Sequence, residues 1–139
     1  MVLGAVLLVG CNQDLPGVVY EKPGQAEAMR TVWVDVYGMG RCAPPTVYWV
    51  EGADLGCGGD PDTFLDEDVC VYGQATTHGI AVAWSENRSP FSRGSFGHET
   101  LHWRQWVLSG DPDDDHAGPA WQPGGLLDQA NAALAASGR

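Results

Sequence analysis

Positive charge is scarce in this chain of 139 residues: Lys and Arg number 7 against 18 Asp and Glu, for a formal net charge of -11. A protein that holds nucleic acid neutralises phosphates with a basic face, so this balance argues against such a partner and for a soluble acidic surface. Long apolar runs are also lacking. The apolar opening MVLGAVLLVGC is too short to span a bilayer. No two of the four cysteines form a C-x-x-C pair, which makes a cysteine-based zinc knuckle a poor reading. What remains is an ordinary globular composition, 44 % hydrophobic and 18 % charged, at a length that suits one domain. Its many glycines and prolines call for turns and long loops.

The opening has the length of a signal-peptide core, and Leu8-Val9-Gly10-Cys11 resembles a bacterial lipobox. The resemblance implies a lipoprotein signal over residues 1–11, a lipid on Cys11, and export to the bacterial cell envelope with anchorage in a membrane. No Lys or Arg precedes the apolar run, which departs from the usual signal. Residues 12–24 then read as a polar tether, and 25–139 as the domain. Export permits oxidation. A disulfide between Cys57 and Cys70 is expected, because it would close the Gly- and Asp-rich loop CGGDPDTFLDEDVC, which has little else to order it. Cys42 is then left as a free thiol, or competes for either partner.

Along the domain, residues 25–38 read as a helix closed by Gly38, with Met29, Val32, Trp33 and Val36 on one face. Residues 46–52 read as a strand, as do 69–75 and 80–84, the last two joined by a turn at TTHG. A helix capped by Ser89 or Ser92 runs through His98 and His102 to about Ser109. Gly110 occupies the position after it, and Asp111-Pro112 cannot continue it. A closing helix carries Leu126, Leu127, Ala130 and Leu134. The expected fold is α+β: a short, mostly antiparallel sheet against an active-site helix and two further helices.

The chemistry concentrates in GHETLHWRQWVLSGDPDDDH, residues 97–116, which holds three of the four histidines. Positions four apart share a helical face, so His98 and His102 can direct imidazole nitrogens at one ion, and zinc suits them. Glu99 is turned about 100° away, where it can reach a reacting water instead of the ion. This is the mechanical content of H-E-x-x-H. A catalytic zinc usually takes three protein ligands. No glutamate follows Glu99, and the extended motif H-E-x-x-H-x-x-G-x-x-H is absent, since Gln105 and Leu108 stand at its glycine and last histidine. His116 is the preferred third ligand, with Asp111, Asp113, Asp114, Asp115 and Asp128 as the alternatives. The clustered aspartates could also orient His116, or bind calcium, although the full spacing of an EF-hand loop is absent; at least two of the four in GDPDDD read as solvated.

H-E-x-x-H followed by a loop and then His116-Ala117-Gly118-Pro119-Ala120-Trp121 resembles the SprT-like zinc metallopeptidases, with one extra residue, Ala117. The resemblance covers residues 97–121. It implies a zincin-like fold, Zn2+ held by His98, His102 and His116, Glu99 as general base, and a peptide or protein substrate. The strand 80–84, if at an edge, could hold that substrate by β-augmentation, and Tyr72 or His78 could stabilise an oxyanion. The alternatives are a non-catalytic metal-binding or interaction lipoprotein, and a structural domain whose histidines bind nothing.

Overall fold

The computed structural model describes residues 22–52, 54–58, 70–76, 78–84 and 94–137. Cys11, most of the expected tether and both serines expected to cap the His98 helix lie outside the described residues. Among the described residues, no helix is long and apolar enough to cross a membrane.

The first helix forms as α1 (Gln25–Met29) and a π-helical continuation (Arg30–Val36). Its last turns are widened: Tyr37 N–H donates to Val32 O at 2.8 Å and Met39 N–H to Trp33 O at 2.8 Å. Thr31, Val32, Val34 and Val36 are β-branched and crowd an α-helical turn, which favours the looser one. Met29, Val32 and Trp33 go into the core, and Val36 packs at its margin. Gly38 follows at φ 69°, in the left-handed region that glycine enters at little cost.

Among the described residues, five short strands follow: β1 (Val47–Glu51), β2 (Gly56–Cys57), β3 (Cys70–Val71), β4 (Gly73–Thr76) and β5 (Gly79–Trp84). The stretch 69–75, expected as one strand, is divided at Tyr72. Its first part pairs with β2 and its second with β5. The main sheet has the order β1-β5-β4. β1 runs parallel to β5, with Val47 opposite Ile80, and β4 runs antiparallel, with Gly73 opposite Val82. The sheet is therefore mixed where a mostly antiparallel one was expected. The expectation of 80–84 as an edge also fails, since β5 is bonded on both sides. Its Ile80, Val82 and Ala83 are buried, and the most apolar strand takes the centre. The edge beside the histidine helix is β4.

That helix, α2 (Ser95–Ser109), starts from Gly94 at φ 83° with no side-chain cap, so neither expected serine holds its N-cap position. Its first two turns bury Phe96, Gly97, Glu99, Thr100, Leu101 and His102. Phe96 stacks on Trp49 of β1 with ring centroids 6.4 Å apart. The segment after α1 clamps it from the other side. Tyr37 donates its hydroxyl to Gly97 O at 2.8 Å, and Arg104 Nε donates to Tyr37 O at 3.1 Å. Burial drives the Tyr37 hydroxyl far above its ordinary pKa, with Arg104 opposing, so it stays a donor. The closing helix α3 (Leu126–Ala136) seals the core with Ala130 and Leu134.

Cys42 is buried and disulfide-bonded, which overturns its reading as a free thiol. The backbones of Cys57 and Cys70 stand directly opposite in the β2–β3 ribbon. With four cysteines in the chain, two expectations now exclude each other. If Cys57 pairs with Cys70, Cys42 has only Cys11 left, and a Cys11 sulfur in a disulfide cannot carry a lipid. Alkylation before reduction should leave Cys42 unmodified. Peptide mapping without reduction then identifies its partner, and an alkylated Cys42 would refute the bond.

Candidate metal centre

His98 and His102 leave α2 one turn apart, with their Nε2 atoms 3.2 Å from each other. The helix ends at Gly110, whose φ of 77° lets its N–H close on Trp106 O at 2.7 Å. The chain then doubles back and returns His116 to the helix. His116 Nε2 lies 3.1 Å from that of His98 and 3.0 Å from that of His102. The three histidines form a group that could hold a metal ion. Asp111, Asp113, Asp114, Asp115 and Asp128, the alternative third ligands, are not in that group.

The reversal rests on Asp113. Its Oδ2 accepts from Gly118 N–H at 3.0 Å and from Trp121 Nε1–H at 2.9 Å, and its Oδ1 accepts from Ala117 N–H at 3.3 Å. The Asp113 N–H is held by Asp111 Oδ1 at 2.9 Å, and Asp113 O receives the His116 N–H at 2.9 Å. Asp113 and His116 both adopt left-handed backbone, at φ 60° and 54°. Such conformations cost of order 1 kcal/mol or more each for residues with a Cβ, and this set of hydrogen bonds offsets the cost. The Gly118 N–H, followed by Ala117 and Trp121, holds the Asp113 carboxyl below the usual carboxylate range. Of the aspartates that could orient His116, Asp113 is the one bonded into the returning turn by Ala117, Gly118 and Trp121.

Trp121, from the short 3-10 turn Pro119–Trp121, backs the whole group. Its ring centroid lies 4.9 Å from that of His98, 4.4 Å from His102 and 4.6 Å from His116. The tautomer of His102 is set by Pro112, whose carbonyl oxygen lies 2.6 Å from Nδ1. A carbonyl only accepts, so Nδ1 carries the proton and Nε2 keeps its lone pair towards the other two rings.

These residues fit a metal. Two ligands of a tetrahedral zinc at about 2.0–2.1 Å stand roughly 3.3–3.4 Å apart, slightly wider than the observed triangle of 3.0–3.2 Å. All three corners are imidazole, which suits zinc and the neighbouring divalent transition metals.

Glu99 is buried beside this group, with Oε1 3.9 Å from His98 Nε2. It shares the helix with the two histidines but stands outside their triangle. Burial, and next the charge of Asp114, push its pKa up to about 7. A dication at the imidazoles would draw it down again, leaving an ionised base near neutrality. Gly73 of the edge strand makes room for it: a Cβ at that position would lie 2.6 Å from Glu99 Cγ. Tyr72 lines the cleft next to Glu99. His78 is exposed at the β4–β5 turn and is not among the cleft-lining residues.

Sequence reasoning did not single out Asp113 among the aspartates that could orient His116, and it missed the Pro112 carbonyl and Gly73. An Asp-Pro-Asp turn just after a helix-ending glycine is a signal that the first two were structured. Nothing local marks Gly73, whose role exists only across the sheet–helix contact.

Comparisons of the chain with known protein families, with curated proteins and with solved structures found no match.

Two outcomes are expected from this geometry. Asp113→Ala should weaken metal binding by roughly tenfold to a hundredfold, the usual cost of losing a group that orients a ligand, and His116→Ala by more. Competition with a zinc indicator measures both, and an Asp113 variant as tight as the parent would refute the support role. The second concerns pH. Burial first, then His102 and His116, lower the His98 pKa from 6.5 to about 4 in the metal-free protein. The unfolded chain thus binds this proton more readily than the folded one. The contribution of His98 to stability is complete above about pH 6.5 and is lost as pH falls towards 4. Glu99 works in the opposite sense, so the check is direct: imidazole resonances of the metal-free protein should show His98 neutral at pH 5.5. A midpoint near 6.5 would contradict the burial argument.

Proposed function

We propose that this chain is a zinc-dependent peptidase with a zincin-like site of the kind its 97–121 segment resembles. The observation that carries the reading is a buried glutamate beside a group of three imidazoles. His98, His102 and His116 would hold the zinc. When bound, zinc supplies a Lewis acid that polarises a carbonyl and makes water easier to deprotonate.

The chain's own residues supply the rest. Glu99 takes a proton from the attacking water and returns it to the leaving amide nitrogen. Its buried position keeps it poised, because bulk water does not stabilise its charge. Pro112 and Asp113 keep His102 and His116 oriented, and Trp121 packs against all three rings. The β4 edge, next to α2, is placed to hold an extended peptide by main-chain hydrogen bonds. The cleft beside it contains Tyr72, which makes Tyr72 the better candidate than His78 for a donor to a developing oxyanion. Export and anchorage through a lipid on Cys11 belong to the same proposal. They require Cys42 to pair with Cys57 or Cys70.

Glu99→Gln keeps shape and hydrogen bonding but cannot act as a base. Zinc content and fold should persist, while hydrolysis of an unfolded protein substrate falls by roughly a hundredfold or more. Loss of zinc in this variant would make Glu99 a ligand or a prop. Full zinc without hydrolysis in the parent would favour a non-catalytic metal-binding protein.

A further inference from the structure

The three-stranded sheet has two edges, β4 and β1. β4 borders the cleft beside Glu99, whereas no strand among the described residues pairs with the outer side of β1. Ile80 N–H donates to Thr46 O at 2.8 Å, and Gly52 N–H to Trp84 O at 2.8 Å. With Val47 opposite Ile80 in a parallel ladder, these bonds turn the main-chain groups of Thr46, Tyr48, Val50 and Gly52 towards β5. The N–H and C=O of Val47 and Glu51 therefore point outwards. Side chains alternate across the strand. Val47 enters the core, while Tyr48 and Val50 are 50 % and 40 % exposed. Such an edge is a template for another strand, and proteins commonly blunt it with Lys or Pro. β1 contains neither, and its one charge is Glu51 at the end.

We infer that β1 is a dimer interface, at which a second copy of this chain pairs its own β1 antiparallel across a two-fold axis at Trp49. The inference goes beyond the peptidase reading and does not depend on it. Outward-pointing residues must meet outward-pointing ones, and this axis matches the whole strand. Val47 of each copy lies opposite Glu51 of the other, with four hydrogen bonds between them. Tyr48 of each copy then lies opposite Val50 of the other, in the non-hydrogen-bonded pairs where side chains approach most closely. An aromatic facing a β-branched residue is a favourable pair, and both exposed apolar side chains of the strand are covered together. With the axis at Tyr48, Glu51 would meet Pro45, which has no N–H. With the axis at Val50, Val47 would fall beyond the end of the strand. Charge also suits a second copy. The two Glu51 residues would stand at opposite ends, about 14 Å apart, beyond the Debye length of about 8 Å at physiological salt. Two chains of net charge -11 can therefore meet along β1 without opposing like charges directly. The pairing joins two three-stranded sheets into one of six, and leaves both β4 edges and their clefts at the outer ends. The area covered is small, so the dimer is a weak one.

The test uses the full chain. Sedimentation equilibrium is run over roughly 5–500 µM, a range that reaches weak encounters, in about 0.5 M NaCl to screen the repulsion between acidic chains. Monomer and dimer should exchange with concentration, without larger species. Val50→Lys, which places a charge on the pairing edge, should raise the dissociation constant about tenfold or more with zinc content unchanged. Tyr48→Lys provides the same comparison if that variant fails to fold. Leu108→Lys, at a similarly exposed residue on α2, should leave the dimer as it is. The register is read by mixing Tyr48→Cys and Val50→Cys chains and oxidising them with diamide. The mixture should give a covalent dimer. Neither variant alone should do so, because two copies of one position stand about 8 Å apart at their Cα atoms, beyond the reach of a disulfide. A monomer at every concentration, an association that persists in the lysine variants, open-ended assembly, or no covalent dimer from the mixture would overturn the assignment.

Discussion

Three imidazole nitrogens meet within 3.0–3.2 Å of one another, two from one face of a helix and one from a loop. With lone pairs on all three nitrogens they repel, and protonated rings repel one another as like charges. A divalent cation would turn both into attraction, so metal binding would favour the closed loop. The nearby structure can be understood as what holds that arrangement open to a metal. Gly110 reverses the chain, Asp113 ties down the returning turn, Pro112 orients His102, and Trp121 packs against all three rings.

The same helix keeps Glu99 out of that group by azimuth. One residue along a helix turns the side chain by about 100°, so a carboxylate next to a ligand faces a different space. Here that space is a cleft bordered by an edge strand. Gly73 lets the strand approach Glu99 closely enough to bury it, and the burial raises its pKa. The raised pKa of this carboxyl thus follows from a missing side chain on another element. The clamp of Tyr37 on Gly97 and the stack of Trp49 on Phe96 fix the first turns of α2 to the core. The carboxylate is therefore presented on a rigid support.

Local pattern was enough for much of this. The spacing of His98, Glu99 and His102 placed two imidazoles on one face and the carboxylate beside it, because helical periodicity is a property of the chain itself. His116 was legible by elimination, as the only histidine in the loop that follows. Gly110 and Asp111-Pro112 marked where the helix had to end. The apolar face of the first helix and its π-helical continuation, and the β-branched and aromatic residues of β1, likewise carried their own signals.

Non-local pairing was not legible. Whether β5 lies at the edge or the centre depends on which neighbours its backbone finds, and the parallel β1 supplied a second partner that no turn signal announces. The division of the 69–75 stretch at Tyr72 has the same cause, since β2 claims its first residues. Asp113 looked like one acidic residue among four because its three donors, Ala117, Gly118 and Trp121, reach it only after the loop has closed. Gly73 and Asn131 meet α2 only through packing of separate elements. The sequence alone determined which groups could bind a metal and move a proton. The tertiary structure decided which were brought together, because backbone reversal, strand order and close approach depend on contacts between residues far apart in the chain.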